Sequence, residues 1–402
     1  MLRVGLVAMG GSDWIAGVQY LHSILFGNSL LPTGEQALLH LYINPTVHRV
    51  SDYENLRSLA VGLHAADLES IPSEGVYKKL RRAARTVVRQ HRLPALLASE
   101  LPRLLDKHRI DVLFAGVQLK ENINIPQICW IPDFQHIHRP DFFSPEERTR
   151  RDKLFKRILA QANAVIVSNQ CSYADAARVY PENCQKLTVL PFTMYLGREW
   201  RKADPKSVLR GYNLPEKFLL LPSQFWKHKN HRTVFHAIKQ LRDRGLKEVV
   251  LVCTGLPNDP RFPEYATELH QFISTHKLEE AIRVLGLLPR HDQVQLMRAA
   301  AAIIQPSLFE GWSAIVEESR SMGKEVFASD IPMHREQRTE RVHLFDPMSV
   351  EGLTDLIYRY WPGLQPGPQP DLENTSEAEY YARIREFARQ FAALSRSVMV
   401  RN

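Results

Sequence analysis

The sequence predicts an α/β protein made of two doubly wound domains that face each other across a cleft. Three observations carry that expectation. The chain has 402 residues, more than one hydrophobic core usually organises. Short apolar runs alternate with helical periodicity, the pattern of parallel strands joined by crossover helices. The alternation also breaks off in a polar, irregular stretch from Met194 to Pro215 and then starts again.

Taken in order, Val4–Met9, Leu38–Ile43, Val112–Ala115, Ile128–Ile131, Ala164–Val167 and Leu187–Leu190 read as strands of a first domain, residues 1–200. In a second domain, residues 201–375, Phe218–Pro222, Val249–Cys253, Ile282–Leu285, Ala302–Gln305 and Glu325–Ala328 read as strands. Helices there start near His231, Pro263, Asp292 and Ser313. A turn-rich run of Pro, Gly and Gln after Trp361 precedes a last helix, residues 376–402. Ser376 and Glu379 suit a capping box there, and Ile384, Phe387, Phe391, Leu394 and Val398 line one face, which calls for packing against the first domain.

Hydrophobic residues make up 44% of the chain, which suits a packed globule. Cysteines at 129, 171, 184 and 253 show no close metal-type pairing and are too few to staple a protein this long, so a reducing, cytoplasmic setting is expected. The N-terminal apolar run ends in glycines too early for a secretion signal, and no uncharged apolar run approaches the ~20 residues that cross a bilayer. The net charge is +8. Between Val76 and Ser99 there are seven Lys/Arg and no acid. Lys78, Arg82, Arg85 and Arg89 recur at helical spacing, so that 76–92 reads either as a basic amphipathic helix at an anionic membrane surface or as the solvated face of an ordinary helix. Aromatics are not interleaved with these charges, which argues against nucleic acid.

The chemistry concentrates in Pro306-Ser-Leu-Phe-Glu310-Gly-Trp-Ser313-Ala314-Ile-Val-Glu-Glu318. A buried strand stops at Pro306, and a helix opens near Ser313 whose first amides have no internal partner and suit a phosphate. At about 1.5 Å per residue, Glu310 and Glu318 stand roughly 12 Å apart, beyond the roughly 5–9.5 Å of a glycosidase carboxylate pair. They suit opposite ends of one elongated ligand, with structural helix capping as the plainer alternative. Lys229 lies at another strand-to-helix junction, where Asn230 could cap the helix and the ammonium would add charge to an anion site. Gly10, Gly11 and Gly17 follow the first strand, where glycine permits close backbone approach.

The whole run from Gly286 to Glu336, with Trp130–Pro191 and Phe218–Ala237, resembles family 4 of the retaining, GT-B-fold glycosyltransferases, in which two Rossmann-like domains hold a nucleotide sugar. The resemblance implies that Glu310 receives donor-sugar hydroxyls, Glu318 the ribose hydroxyls, and that the amides of Ser313 and Ala314 with Lys229, Gly11 and Gly17 hold the diphosphate. Gly286–Pro289, including Leu287, would run along the base. Two positions depart from the family. Gln224 stands where an arginine usually accompanies the lysine, with Lys227 or Arg232 as substitutes. Pro132 stands where a histidine usually precedes Asp133. His136 and His138 could replace that histidine, and His136 is favoured because Asp133 could brace it; Ser168 would line the acceptor side.

The implied reaction moves a sugar from a UDP-, GDP- or ADP-sugar to an acceptor hydroxyl with retention. No Asp-x-Asp occurs, so a metal-chelating carboxylate pair of that kind is not expected, nor any cofactor beyond the donor. The basic stretch points to a glycan or lipid-linked acceptor, as in cell-envelope polysaccharide or glycolipid synthesis, and to peripheral attachment on the inner face of the membrane. The rival readings are a nucleotide-sugar epimerase or phosphorylase on this fold and a non-catalytic partner subunit.

Overall fold

The computed structural model describes residues 1–11, 14–66, 68, 99–197 and 199–400. The first sheet holds β1 (Arg3–Val7), β2 (Leu38–Ile43), β3 (Gly62–Ala65), β4 (Val112–Gly116), β5 (Gln127–Ile131), β6 (Ala164–Val167) and β7 (Leu187–Val189). They run in the order β3-β2-β1-β4-β5-β6-β7, all parallel. The second sheet, in the order β10-β9-β8-β11-β12-β13, is parallel as well. It comprises β8 (Leu219–Pro222), β9 (Leu251–Thr254), β10 (Ile282–Val284), β11 (Ala302–Gln305), β12 (Val326–Ser329) and β13 (Val342–Phe345). Both sheets reverse strand order beside their first strand, so the crevice that receives a ligand opens at the carboxyl ends of β1 and β4 in one and β8 and β11 in the other. Burial on both faces explains why β4, and β5 after Gln127, are apolar runs rather than alternating.

Two strands escape the apolar-run reading. Gly62-Leu-His-Ala and Val342-His-Leu-Phe, β3 and β13, are edge strands with a polar residue in a span of four. Such short edges carry little hydrophobic signal. The last helix, Pro370–Val400, begins six residues before Ser376, so Ser376 and Glu379 lie inside it and form no cap. Pro370 supplies its pre-set start. This helix ties the halves together. Near its start Glu373 accepts two of the guanidinium hydrogen bonds of buried Arg298, at 2.8 and 3.0 Å. Further along, Phe387, Phe391, Ala392 and Val398 enter the first-domain core with Leu21, Ile24 and Leu25. Gly27 on helix Ile15–Ser29 permits this packing, since a Cβ there would stand 2.5 Å from the Ile384 carbonyl oxygen. The basic stretch 76–92 lies outside the described residues, and no helix among those described is long and apolar enough to cross a membrane.

Candidate active site

Glu310 sits past the end of β11 with 8% of its surface exposed. Its Oε1 accepts hydrogen bonds from Lys229 Nζ at 2.6 Å and from Gln305 Nε2 at 2.8 Å. A buried carboxylate would be strongly unfavourable unpaired, and these two donors remove that penalty. Lys229 is placed by Asn230, whose backbone is left-handed at φ 57°. Asn230 does not cap the next helix, His231–Asp243, through its side chain, contrary to the sequence reading. Its carboxamide donates instead to the carbonyls of Pro306 and Pro347, at 3.1 and 2.9 Å, which fastens the lysine loop to the Glu310 loop. His228 and His334 lie buried around this pair, and burial holds both below the ordinary histidine pKa. Both therefore stay neutral at pH 7.

Ser313 caps helix Ala314–Ser321 by accepting from the Val316 amide at 3.4 Å. The amide of Ser313 is taken: it donates to Gln337 Oε1 at 3.1 Å, while Gln337 Nε2 donates back to the Ser313 carbonyl at 3.0 Å. That corrects the expectation for Ser313, and leaves Ala314 and Ile315 as the amides without a partner among the described residues. Further along the same helix the two glutamates separate by direction. Glu317 turns toward Arg383 of the last helix, 3.8 Å away, and burial raises its pKa. Glu318, only 2% exposed, accepts Arg290 Nη2 on Oε1 at 2.6 Å. Its Oε2 is buried with no hydrogen-bond partner among the described residues. Arg290, the first residue of helix Arg290–Ala299, also reaches the Tyr195 carbonyl at 3.3 Å. The sequence reading stopped at Pro289 and missed it.

The strand ends beside these groups form the remaining wall. Gln224 does not face the lysine: its Oε1 accepts the Leu256 amide at 2.7 Å and so ties the loop after β8 to the loop after β9. Lys227 and Arg232 do not replace the absent arginine. The Lys227 ammonium lies 4.2 Å over the Phe262 ring, and Arg232 pairs with Glu268. Leu287 is half-exposed, and Gly286 beside it receives the Gly255 amide on its carbonyl at 2.8 Å.

From the first domain, Gly10 adopts φ 83°, and a Cβ there would stand 2.3 Å from the Trp14 carbonyl oxygen. Gly11 follows it and bridges to Trp14. Gly17 packs its helix onto the end of β1, with no room for a Cβ beside the Met9 carbonyl. Gly311 brings the domains into contact, because a Cβ on it would lie 2.2 Å from the Pro132 carbonyl oxygen and 2.8 Å from Asp133 Cβ. Asn169 donates to the Gly311 carbonyl from the same side. Thus Asp133 stands directly against the Glu310 loop.

The bracing of His136 by Asp133 is not what forms. The Asp133 carboxylate accepts from the Gln135 amide at 2.9 Å and from Arg151 Nη1 at 3.1 Å. His136 is 4% exposed, packed edge-on against Phe143 and Phe155, with Asp152 3.9 Å away. Burial lowers its pKa. His138 instead reaches across the cleft: its ring lies 5.3 Å from that of Phe309, the neighbour of Glu310, and its Nε2 pairs with Asp175 at 2.6 Å. Ser168 is fully buried and accepts the Trp130 indole N–H at 3.1 Å, a packing role rather than a lining one.

Two Rossmann-like sheets with a strand-to-helix turn held against the opposite domain define a GT-B fold. Residues 210–361 match the family described as Glycosyl transferases group 1. Among solved structures, sucrose-phosphate synthase of Thermosynechococcus elongatus superposes with a TM-score of 0.68 at 15% identity over all of both chains. Anabaena Alr3699/HepE in complex with UDP and glucose superposes at 0.67, with 16% identity over 99% of this chain and 100% of that one. D-inositol 3-phosphate glycosyltransferase of Corynebacterium efficiens is 23% identical over 201 residues, 48% of this chain and 46% of that protein. The chain thus spans about half the length of that curated relative.

Proposed function

We propose that this protein is a retaining glycosyltransferase of the family 4 type, moving a sugar from a nucleoside-diphosphate sugar to an acceptor hydroxyl. The observation that carries the reading is the Glu318 carboxylate, buried on one helix face with one oxygen paired and the other without a partner among the described residues. A ribose hydroxyl donating to Oε2 would satisfy it. The diphosphate would then fall at the Ala314 and Ile315 amides, where the helix dipole favours negative charge. Lys229 would move from Glu310 onto the phosphate, and the freed Glu310 would accept sugar hydroxyls. As the glycosidic bond breaks, charge grows on the leaving diphosphate, where these amides and Lys229 stand ready. The acceptor hydroxyl attacks on the leaving-group face, and contact at Gly311 keeps water from the departing sugar.

Alr3699/HepE holds UDP and glucose in its structure, which makes UDP-glucose the first donor to test. The net charge of +8 and the basic run in the sequence support a glycan or lipid-linked acceptor at the inner face of a membrane. The test is nucleotide release from UDP-, GDP- and ADP-sugars, with proton NMR of the transferred sugar's anomeric configuration. Glu310→Gln is expected to lower kcat by about 10²-fold or more. Release unchanged in that variant, or inverted product, would overturn the reading; binding without turnover under any acceptor would favour a non-catalytic partner.

A further inference from the structure

Three histidines that play no part in the cleft converge at the edge of the first sheet. His40 stands on β2, His64 on the edge strand β3, and His108 follows helix Leu101–Lys107. One ring nitrogen from each lies within 4.8 Å of the others. We propose that His40, His64 and His108 form a zinc site that fastens the edge strand to the sheet, with water as fourth ligand.

The geometry approaches a tetrahedral edge. His40 Nδ1 and His64 Nε2 are 3.2 Å apart. Zinc–nitrogen bonds of about 2.0–2.1 Å place two tetrahedral ligands about 3.3 Å apart. Register puts Gly62 opposite His40 on the neighbouring strand. A Cβ at Gly62 would stand 2.6 Å from His64 Nε2 and 3.7 Å from His40 Nδ1. Glycine therefore keeps the meeting point of the two rings open. Tyr42 contacts His108 Nδ1 through its hydroxyl at 2.8 Å. With Nδ1–H donated to that oxygen, Nε2 keeps its lone pair for the ion, the outer-shell arrangement that orients metal-bound imidazoles. His40 is 5% exposed; its Nδ1 faces His64 Nε2 at 3.2 Å, and its Nε2 has no hydrogen-bond partner among the described residues.

The donor set selects the metal class. Three imidazoles without a carboxylate suit Zn²⁺ and neighbouring transition ions and give Mg²⁺ or Ca²⁺ little to hold. Imidazole binds a metal only through the lone pair of the neutral ring, so uptake of the ion is expected to weaken as pH falls.

The test uses the full chain purified without a polyhistidine tag, stripped with chelator and titrated with ZnSO4. One zinc per chain at sub-micromolar Kd is expected, with a tetrahedral absorption spectrum when Co²⁺ replaces it. A rise in melting temperature of roughly 3 °C is expected at free zinc 100-fold above Kd for a chain of 402 residues. His64→Ala should abolish binding. Tyr42→Phe should weaken it by about 10–100-fold. Gly62→Ala, which keeps every ligand, should weaken it by about 10-fold or more through the crowded His64 ring, and it carries the test if His64→Ala fails to fold. Wild-type protein that takes up no zinc, or His64→Ala and Gly62→Ala binding as tightly as wild type, would overturn the proposal.

Discussion

At the scale of single residues, the two acidic anchors of the cleft differ in what their partners do. Glu310 has both a lysine and a glutamine on one oxygen, whereas Glu318 has an arginine on one oxygen and, among the described residues, no partner on the other. Glu318→Gln replaces the acceptor a ribose hydroxyl would use while keeping the shape. It is expected to weaken UDP binding by about 10–100-fold, as loss of a hydrogen bond to a charged group does. Arg290→Ala does the reverse, stripping a buried carboxylate of its counter-charge; about 1–3 kcal/mol of stability should go, allowing for the partial exposure of Arg290. Calorimetric UDP titration and thermal melts of both variants separate the effects, and undiminished UDP affinity in Glu318→Gln would remove the assigned role. The carboxylates and Lys229 were legible because their chemistry is local to a strand-to-helix turn. Arg290, Gln305 and Gln337 were not, since each matters through a partner that only the folded sheet brings near. The choice between His136 and His138 depended on rotation of the one-turn helix Gln135–His138. Residues two apart on a helix point to nearly opposite sides, so one ring entered the core and the other the cleft.

Among elements, helix Gln170–Val179 is capped from both domains. Asn169 accepts the Ser172 amide at 2.6 Å, and Glu336 of helix Pro332–Glu336 accepts the Gln170 and Cys171 amides at 2.9 and 2.8 Å. Opening the cleft would strip that second cap, worth about 0.5–2 kcal/mol. Glu336→Ala is therefore expected to favour the open form, raising KM for the donor by about 2–30-fold at that energy. A local probe accompanies it: burial and the Glu336 carboxylate push the Cys171 thiol up to about 12. Removing the carboxylate should lower that value and speed alkylation of Cys171 by iodoacetamide, so unaltered alkylation together with unaltered KM would show that the cap does not hold the domains. The same elements mark what pattern reading could see. Strands buried on both faces announce themselves as apolar runs, as Val-Leu-Phe-Ala in β4 does. The edge strands β3 and β13 each spend a central position on histidine, His64 and His343, and so fall below that signal.

For the molecule as a whole, the two domains share a titration behaviour. His228 and His334 surround the Lys229–Glu310 pair, and His231 stacks on Phe225 beneath the same loop. Burial depresses each of them, His231 to about 3. His136 is likewise depressed in the first domain. The unfolded chain protonates its histidines as pH falls through about 6.5, while the folded chain keeps these neutral. Below that pH the unfolded state binds more protons, so stability is full above 6.5 and drains as pH falls toward the folded-state values. The slope is about 1.4 kcal/mol per pH unit for each histidine that stays neutral. The melting temperature should consequently be nearly level from pH 8 to 7 and fall steeply from pH 6.5 to 5. His231→Gln, which removes one such group, should flatten the acid limb relative to its own plateau. Denaturant titrations of wild type and variant across that range decide the matter: parallel acid limbs would mean that His231 gains a proton in the folded protein as readily as in the unfolded chain.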